Sequence, residues 1–398
     1  MYQYMESGPV PLWGFQIPEC GTRLQWIKLG LEPDQEKKVM SRLSSKHRDR
    51  RQITEIPHHT SAEGMVTDYL RCLHDHILRL LESKIGRSFD GMSMEFVITV
   101  PAMWSDRAKM TTLSCAENAG FGDASKIRII SEPEAAAIHS LQGDNPHKLE
   151  VGDTIVICDA GGGTVDLITF SILALEPDLR LKEEAPGDGS LCGSAFLNMR
   201  FEEFLEERLS SLSGWDREAK EEAIQRFEEV AKRRFEGNTN DEFRFNVPGV
   251  EDNKEAGVHR GRLRVTGQEI DKIFLPVLRA VRDLVDEQIQ TSMAKVKSVL
   301  LVGGFGQNRY LGKFLRDSFP GVDVLTPVNA WSAVVRGALR KVLADTAQLH
   351  SSVLIESRVA RKHYGTTKYT KFIPGTHDEK KKCAPMSYIN CLSSLSGN

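Results

Sequence analysis

The chain predicts an α/β fold. Short apolar runs with strand character alternate with longer runs of helical period. A glycine-rich turn, Asp159-Ala160-Gly161-Gly162-Gly163-Thr164-Val165-Asp166, joins two of those strands. At 398 residues the chain is long enough for two domains or one large bilobed unit.

Residues 1–33 are rich in Gly, Pro and aromatics and show no period. Residues 34–52 are charged and end Lys46-His47-Arg48-Asp49-Arg50-Arg51. Interleaved acids favour a solvated helix face or loop there over a nucleic-acid patch. A helix is predicted over residues 63–84, with Met65, Tyr69, Leu73, Ile77 and Leu80 on one face. His74 and His76 on it point to different sides, which argues against a shared metal. Residues 96–100 read as a strand stopped by Pro101. Ser105 is a suitable cap for a helix ending near Gly120, with Asp106 in its first turn. Residues 127–130 form another strand, and Pro133 is expected at the first position of an Ala-rich helix.

The glycine hairpin follows, between apolar runs 154–158 and 167–172. Two amphipathic helices come next, one through Leu197, Phe201, Phe204, Leu205 and Leu209, the other through Ile224, Phe227, Ala231 and Phe235. Residues 238–265 suggest short strands and loops. Thr266-Gly267-Gln268-Glu269 is a capping box, opening a helix expected to bend at Pro276. A strand at 299–302 runs into Gly303-Gly304-Phe305-Gly306 and a helix near 310–319. A strand at 324–325 and a helix at 331–343 close the globular part. The end of the chain carries Lys380-Lys381-Lys382 and a Ser-rich stretch, and residues after about 375 are expected to be disordered.

The composition, 40% hydrophobic and 27% charged, is that of a soluble globular protein. A net charge of −3 gives no global attraction to nucleic acid or membrane. No apolar run reaches membrane-spanning length, and the N-terminus lacks signal-peptide character. Seven scattered cysteines without a C-x-x-C pair fit reduced thiols, hence a cytoplasmic or nuclear protein.

Chemistry concentrates at the hairpin. Consecutive glycines permit unusual torsions and close approach of a ligand. Their N–H groups can converge on an anion. Thr164 adds a hydroxyl, while Asp159 and Asp166 supply carboxylates suited to a hydrated Mg²⁺. The alternative is a plain glycine-rich hairpin with two solvated acids.

The order of several segments is more specific than any one. Ile98-Thr99-Val100-Pro101-Ala102-Met103-Trp104 comes first, then Ala116-Glu117-Asn118-Ala119-Gly120. Ile129-Ile130-Ser131-Glu132-Pro133-Glu134-Ala135-Ala136-Ala137, the hairpin and Val302-Gly303-Gly304 follow. This resembles the nucleotide-binding domain of the heat shock protein 70 family, the DnaK-like chaperones, and most closely their divergent cytosolic branch in fungi and animals. The resemblance covers residues 95–345 and, more faintly, 10–95.

It implies an actin-like ATPase fold (ribonuclease H-like), two lobes around a cleft holding ATP or ADP with Mg²⁺. Residues 1–148, completed by 326–349, would form the first lobe. Residues 149–325 would form the second, and 350–398 a basic tail. Gly161, Gly162, Gly163 and Thr164 would grip the β- and γ-phosphates. Asp159 would hold a metal-bound water, with Asp166 a second metal-side acid, and Glu132 would orient metal waters near the γ-phosphate. Glu229, Lys232 and Arg233, in Glu-Glu-Val-Ala-Lys-Arg, resemble an adenosine-contacting helix. Gly303 and Gly304 would approach the nucleoside and α-phosphate. Implied partners are nucleotide, co-chaperones and client proteins, with no nucleic acid and no membrane.

Departures qualify this expectation. The family's first phosphate hairpin, of the type Asp-x-Gly-Thr-Thr, has no counterpart in the sequence. An incomplete first lobe and weak or lost hydrolysis are therefore expected. No residue matches the family's catalytic lysine, and no substrate-binding β-domain follows. Phe305 after the glycine pair suggests an altered adenosine pocket. A non-enzymatic interaction module or a sugar-kinase-like phosphotransferase on the same scaffold are the alternatives.

Overall fold

A computed structural model describes residues 2–3, 11–17, 24, 26–32, 60–89, 91–141, 148–176, 178–347, 353–360 and 373–374. The charged stretch 34–52 and the stretch after 375 lie outside the described residues.

Strands β1 (Tyr2–Gln3) and β2 (Leu12–Trp13) form a short antiparallel pair, followed by a 3₁₀ turn at Ile27–Leu31. Helix α1 (Ala62–Ile85) starts where the Ser61 hydroxyl accepts the Gly64 N–H at 3.0 Å. His74 and His76 diverge: one packs on Phe96 and Phe121, the other on Trp13. Strand β3 (Phe96–Val100) leads to helix α2 (Asp106–Asn118), capped by Ser105 as expected. Strand β4 (Ile127–Ser131) pairs parallel with β3 and runs without a loop into helix α3 (Glu132–Ser140). Glu132 thus takes the first helical position and Pro133 the second, where a missing N–H is equally harmless.

A six-stranded sheet forms the centre of the molecule. Its strands β5 (Thr154–Ala160), β6 (Val165–Ala174) and β7 (Leu179–Ser190) form an antiparallel meander. Sequence reading missed β7 because Pro186, Gly187 and Gly189 mark it as a loop. The ladder absorbs Pro186 and Gly187 in a bulge, since Ala185 pairs with Thr169 and Asp188 already with Leu167.

Helices α4 (Ala195–Leu209) and α5 (Arg217–Arg226) follow, the latter continuing through a π turn to Arg234. Strands β8 (Glu242–Asn246), β9 (Val258–His259) and β10 (Arg262–Thr266) make a small antiparallel sheet. Helix α6 (Gly267–Thr291) opens with both bonds of the Thr266–Glu269 capping box, and Pro276 lies inside it without ending it. Strand β11 (Val296–Val302) pairs parallel with β5, helix α7 (Arg309–Ser318) follows, and β12 (Asp323–Leu325) pairs parallel with β11. Helix α8 (Ala333–Ala347) then leads to β13 (Val353–Ser357), parallel to β7. The stretch expected to be a tail from residue 350 thus begins with a strand of the central sheet. The order across that sheet is β12-β11-β5-β6-β7-β13.

Both faces of the sheet are covered. Val156, Cys158 and Ala160 of β5 face a large core with α4, α5, α6, α7 and the small sheet, while Ile155 and Ile157 face a second core with α3 and α8. Two buried faces explain why β5 reads as a continuous apolar run. Helices α3 and α8 cross closely at Gly337, where a Cβ would lie 1.7 Å from the Ala135 carbonyl oxygen.

Candidate functional site

The turn between β5 and β6 has two distinct sides. Its carbonyls are engaged: Gly161, Gly162 and Gly163 accept from the N–H groups of Ser194, Ala195 and Gly193 at 3.1, 2.8 and 3.1 Å. Gly193 must be a glycine for this contact, because a Cβ there would lie 2.5 Å from the Gly162 carbonyl oxygen. The Gly161 N–H closes the turn onto the Thr164 carbonyl at 2.9 Å. Among the described residues, the N–H groups of Gly162, Gly163 and Thr164 donate to no protein acceptor. None of the three glycines takes a left-handed φ, so the torsional freedom expected of them is not what the turn uses. Open space serves instead: a Cβ on Gly162 would meet nothing within 4 Å. The turn thus leaves three N–H donors without a protein acceptor among the described residues, with open space at Gly162 and the Trp26 indole beside Gly163, an arrangement suited to an anion.

Acids surround the same turn. Asp159 and Asp166 are paired across β5 and β6, and both are buried. Asp166 Oδ1 accepts the Ala102 N–H at 3.3 Å, which ties the Val-Pro-Ala segment to the hairpin. Its Oδ2 is buried without a hydrogen-bond partner. Burial pushes the Asp159 carboxyl up to about 7; Glu132 adds to the rise and Lys28 opposes it. Asp166 is raised chiefly by burial too, and again by Glu132, while Lys28 and Thr164 pull the other way. Burial outweighs the help from Lys28, Thr164 and the Ala102 N–H, and a nearby cation would favour the ionised form of both acids.

Glu132 reaches the site because β4 delivers it at the start of α3. Its Oε1 accepts from Lys28 Nζ at 3.4 Å. Lys28 is a residue that sequence reading missed. It lies on the 3₁₀ turn Ile27–Leu31, more than a hundred positions from its partner. The available signal was a single lysine inside the apolar run Trp26-Ile27-Lys28-Leu29.

Gly303 closes the site from β11. It has φ +82, and a Cβ would lie 2.4 Å from the Ala160 carbonyl oxygen and 2.5 Å from Asp159 Oδ1, so only glycine fits. Gly304 beside it faces open space. Asn308 Nδ2 donates to the Lys232 carbonyl at 2.8 Å, joining this turn to the π-turn helix. Lys232 itself is folded inward: its ammonium donates to Asn198 Oδ1 at 3.0 Å, to the Ser194 carbonyl and to Glu228. Burial lowers its pKa, against the opposing pull of Glu228. Glu229 and Arg233 are exposed, and Glu229 accepts from Gln225 on its own helix. The Phe305 side chain, directly after the glycine pair, is buried in the large core.

The structure therefore gathers Glu132, Asp159, Gly161, Gly162, Gly163, Thr164, Asp166 and Gly303 with Lys28. Gly304, Glu229, Lys232 and Arg233 belong to the neighbouring turn and helix. Among the described residues no group of three or more His, Cys, Asp or Glu side chains is arranged to ligate a metal. Free N–H donors, an orphaned carboxylate oxygen and two desolvated acids fit a phosphate chain carrying a largely hydrated Mg²⁺, which keeps its own waters.

Comparison with known proteins converges on one family. Residues 58–355 match a family model described as Hsp70 protein. The chain is 27% identical over 266 residues to the chaperone protein DnaK of Thermosipho africanus, covering 66% of this chain and 42% of that protein. It is 27% identical over 270 residues to the DnaK of Anaplasma marginale, covering 66% and 40%. It is 29% identical over 263 residues to a ribosome-associated molecular chaperone of Eremothecium gossypii, covering 65% and 40%. The matched part spans about two fifths of the length of these relatives.

Proposed function

The chain belongs to the Hsp70 family and has the actin-like α/β fold of that family's ATPase domain; from that premise we propose that it binds Mg²⁺-nucleotide at the β5–β6 turn as a chaperone-related protein whose hydrolysis is weak or lost. The observation that carries the reading is the pair of opposite engagements at the turn. Its carbonyls are tied down by residues 193–195, and among the described residues the N–H groups of Gly162, Gly163 and Thr164 have no acceptor.

Each residue then has a task. The N–H groups of Gly162, Gly163 and Thr164 hold terminal phosphate oxygens. Asp159 and Asp166 accept hydrogen bonds from waters on the cation. Glu132 orients a water beside the phosphate chain, and Lys28 brings a positive charge to the same end. Gly303 and Gly304 let the rest of the nucleotide approach, and Lys232 with Glu229 and Arg233 borders the nucleoside side. When bound, Mg²⁺-ATP supplies the phosphoanhydride and the cation's charge. What supports weak turnover is the single phosphate turn of this kind in the sequence given. Charge on a transferring phosphoryl group would be met by that turn and Lys28, and each lost donor typically costs ~10²–10³ in rate.

Co-chaperones and client proteins are the partners this reading carries, in the cytoplasm. No described helix is long and apolar enough to cross a membrane. Calorimetric titration with Mg-ADP and Mg-ATP tests the reading. The parent chain should bind both, and Gly162→Val, which projects a side chain into the open face, should bind neither. A variant that binds like the parent would show that the phosphate site lies elsewhere. Failure of the parent to bind either nucleotide would return the chain to a non-enzymatic interaction module.

A further inference from the structure

Trp26 stands at the phosphate turn in a conformation that calls for an explanation. It has φ 56 and ψ 28, the left-handed region that a bulky residue rarely adopts. Such torsions persist where surroundings enforce them, and they cluster at ligand clamps. The surroundings here are specific. The Trp26 indole stacks on Phe196 of α4, with ring centroids 5.5 Å apart and planes 21° apart. Its edge faces the hairpin: a Cβ on Gly163 would lie 3.8 Å from Nε1. Leu29, on the turn that Trp26 begins, is buried with Leu191, Phe196 and Met199. The segment Trp26–Leu29 is thus a strap laid over the loop that backs the phosphate turn.

On the reading above, the turn holds the terminal phosphate and Gly303, Gly304 and Lys232 border the nucleoside. Lys28, two residues after Trp26, pairs with Glu132, a residue the same reading places beside the phosphate chain. The indole N–H is a donor with no acceptor role, and among the described residues it has no partner. Phosphate oxygens are charged acceptors for which such a donor is well suited.

Resting on the reading that the turn holds nucleotide phosphates, we propose that Trp26 is a specificity-determining residue whose indole N–H hydrogen-bonds the terminal phosphate of a bound nucleoside triphosphate. The bond exists with a triphosphate and not with a diphosphate. Trp26 thereby sets the preference of the site for one over the other, while Phe196 holds the ring in place.

The test compares affinities of the full chain for Mg-ADP, Mg-ATP and a non-hydrolysable ATP analogue, in the parent and in Trp26→Phe. Phenylalanine keeps the stack on Phe196 and removes the N–H. The expected result is about a tenfold or greater loss of affinity for ATP and its analogue, the magnitude of a charge-assisted hydrogen bond, with ADP affinity unchanged. An unchanged ratio of ATP to ADP affinity overturns the proposal and leaves the nucleotide site standing. Binding of neither nucleotide by the parent removes both. A second readout needs no variant: parent tryptophan emission should shift with the analogue and not with ADP. The same emission with both ligands would also overturn the assignment.

Discussion

Asp159 and Asp166 give the site a pH signature. An acid whose folded pKa lies above its unfolded value binds more protons in the folded state. The unliganded chain therefore loses stability from this source as pH rises from about 4 to about 7, the folded value of Asp159. Asp159→Asn removes that loss. The variant should gain on the parent between pH 5 and pH 8 by on the order of 1–3 kcal/mol in urea titrations; a constant difference across that range would contradict the burial of this carboxyl. Nucleotide binding runs the other way. If the cation's waters bind the ionised acids as proposed, Mg-ADP affinity of the parent should rise through pH 7, and the variant should lose much of that rise. At this scale the turn and its acids were legible because eight contiguous residues carry them. Lys28 was not, since its partner Glu132 is distant in sequence and only the fold joins the two. The orphaned oxygen of Asp166 was equally invisible, because nothing in the sequence says where Ala102 sends its N–H.

Helices and strands were legible where one pattern acts alone. The capping box at Thr266, the Ser105 cap and the long helix α1 depend on local spacing, and each stands where the spacing puts it. Strand β7 was hidden because its bulge residues also serve as turn residues. Strand β13 was hidden because its partner, β7, lies in a distant part of the chain. The crossing of α3 and α8 supplies a test in which two effects oppose. Helix propensity alone would make Gly337→Ala stabilising by about 1 kcal/mol. The added Cβ would lie 1.7 Å from the Ala135 carbonyl oxygen, and overpacking of this kind costs about 1–3 kcal/mol. Packing should win, so the variant melts lower than the parent. Its nucleotide affinity should fall as well, because α3 carries Glu132 at its first position. A melting temperature above the parent's would show that the helices can separate freely at this point.

Over the whole molecule, burial is uneven. The large core draws on residues from Val156 to Val324, whereas the clusters around α1 and α2 are small. Trp331, Val335, Leu339 and Leu343 form an apolar stripe on and beside α8, each more than half exposed. Limited proteolysis should leave a resistant fragment close to residues 149–325, with early cuts before it and beyond residue 360. Uniform resistance along the whole chain would show that the part before 149 is stabilised by contacts as extensive as the central core. The strand order has one more consequence, in time rather than in space. During synthesis the β5–β6–β7 meander emerges first, and β11, which must lie against β5, is made about 140 residues later. At about 5–20 residues per second that interval is on the order of ten seconds. Throughout it the edge of β5 that will pair with β11 has its backbone groups bare, so each new copy of this protein carries an open strand edge, a template for unwanted pairing, until β11 is made.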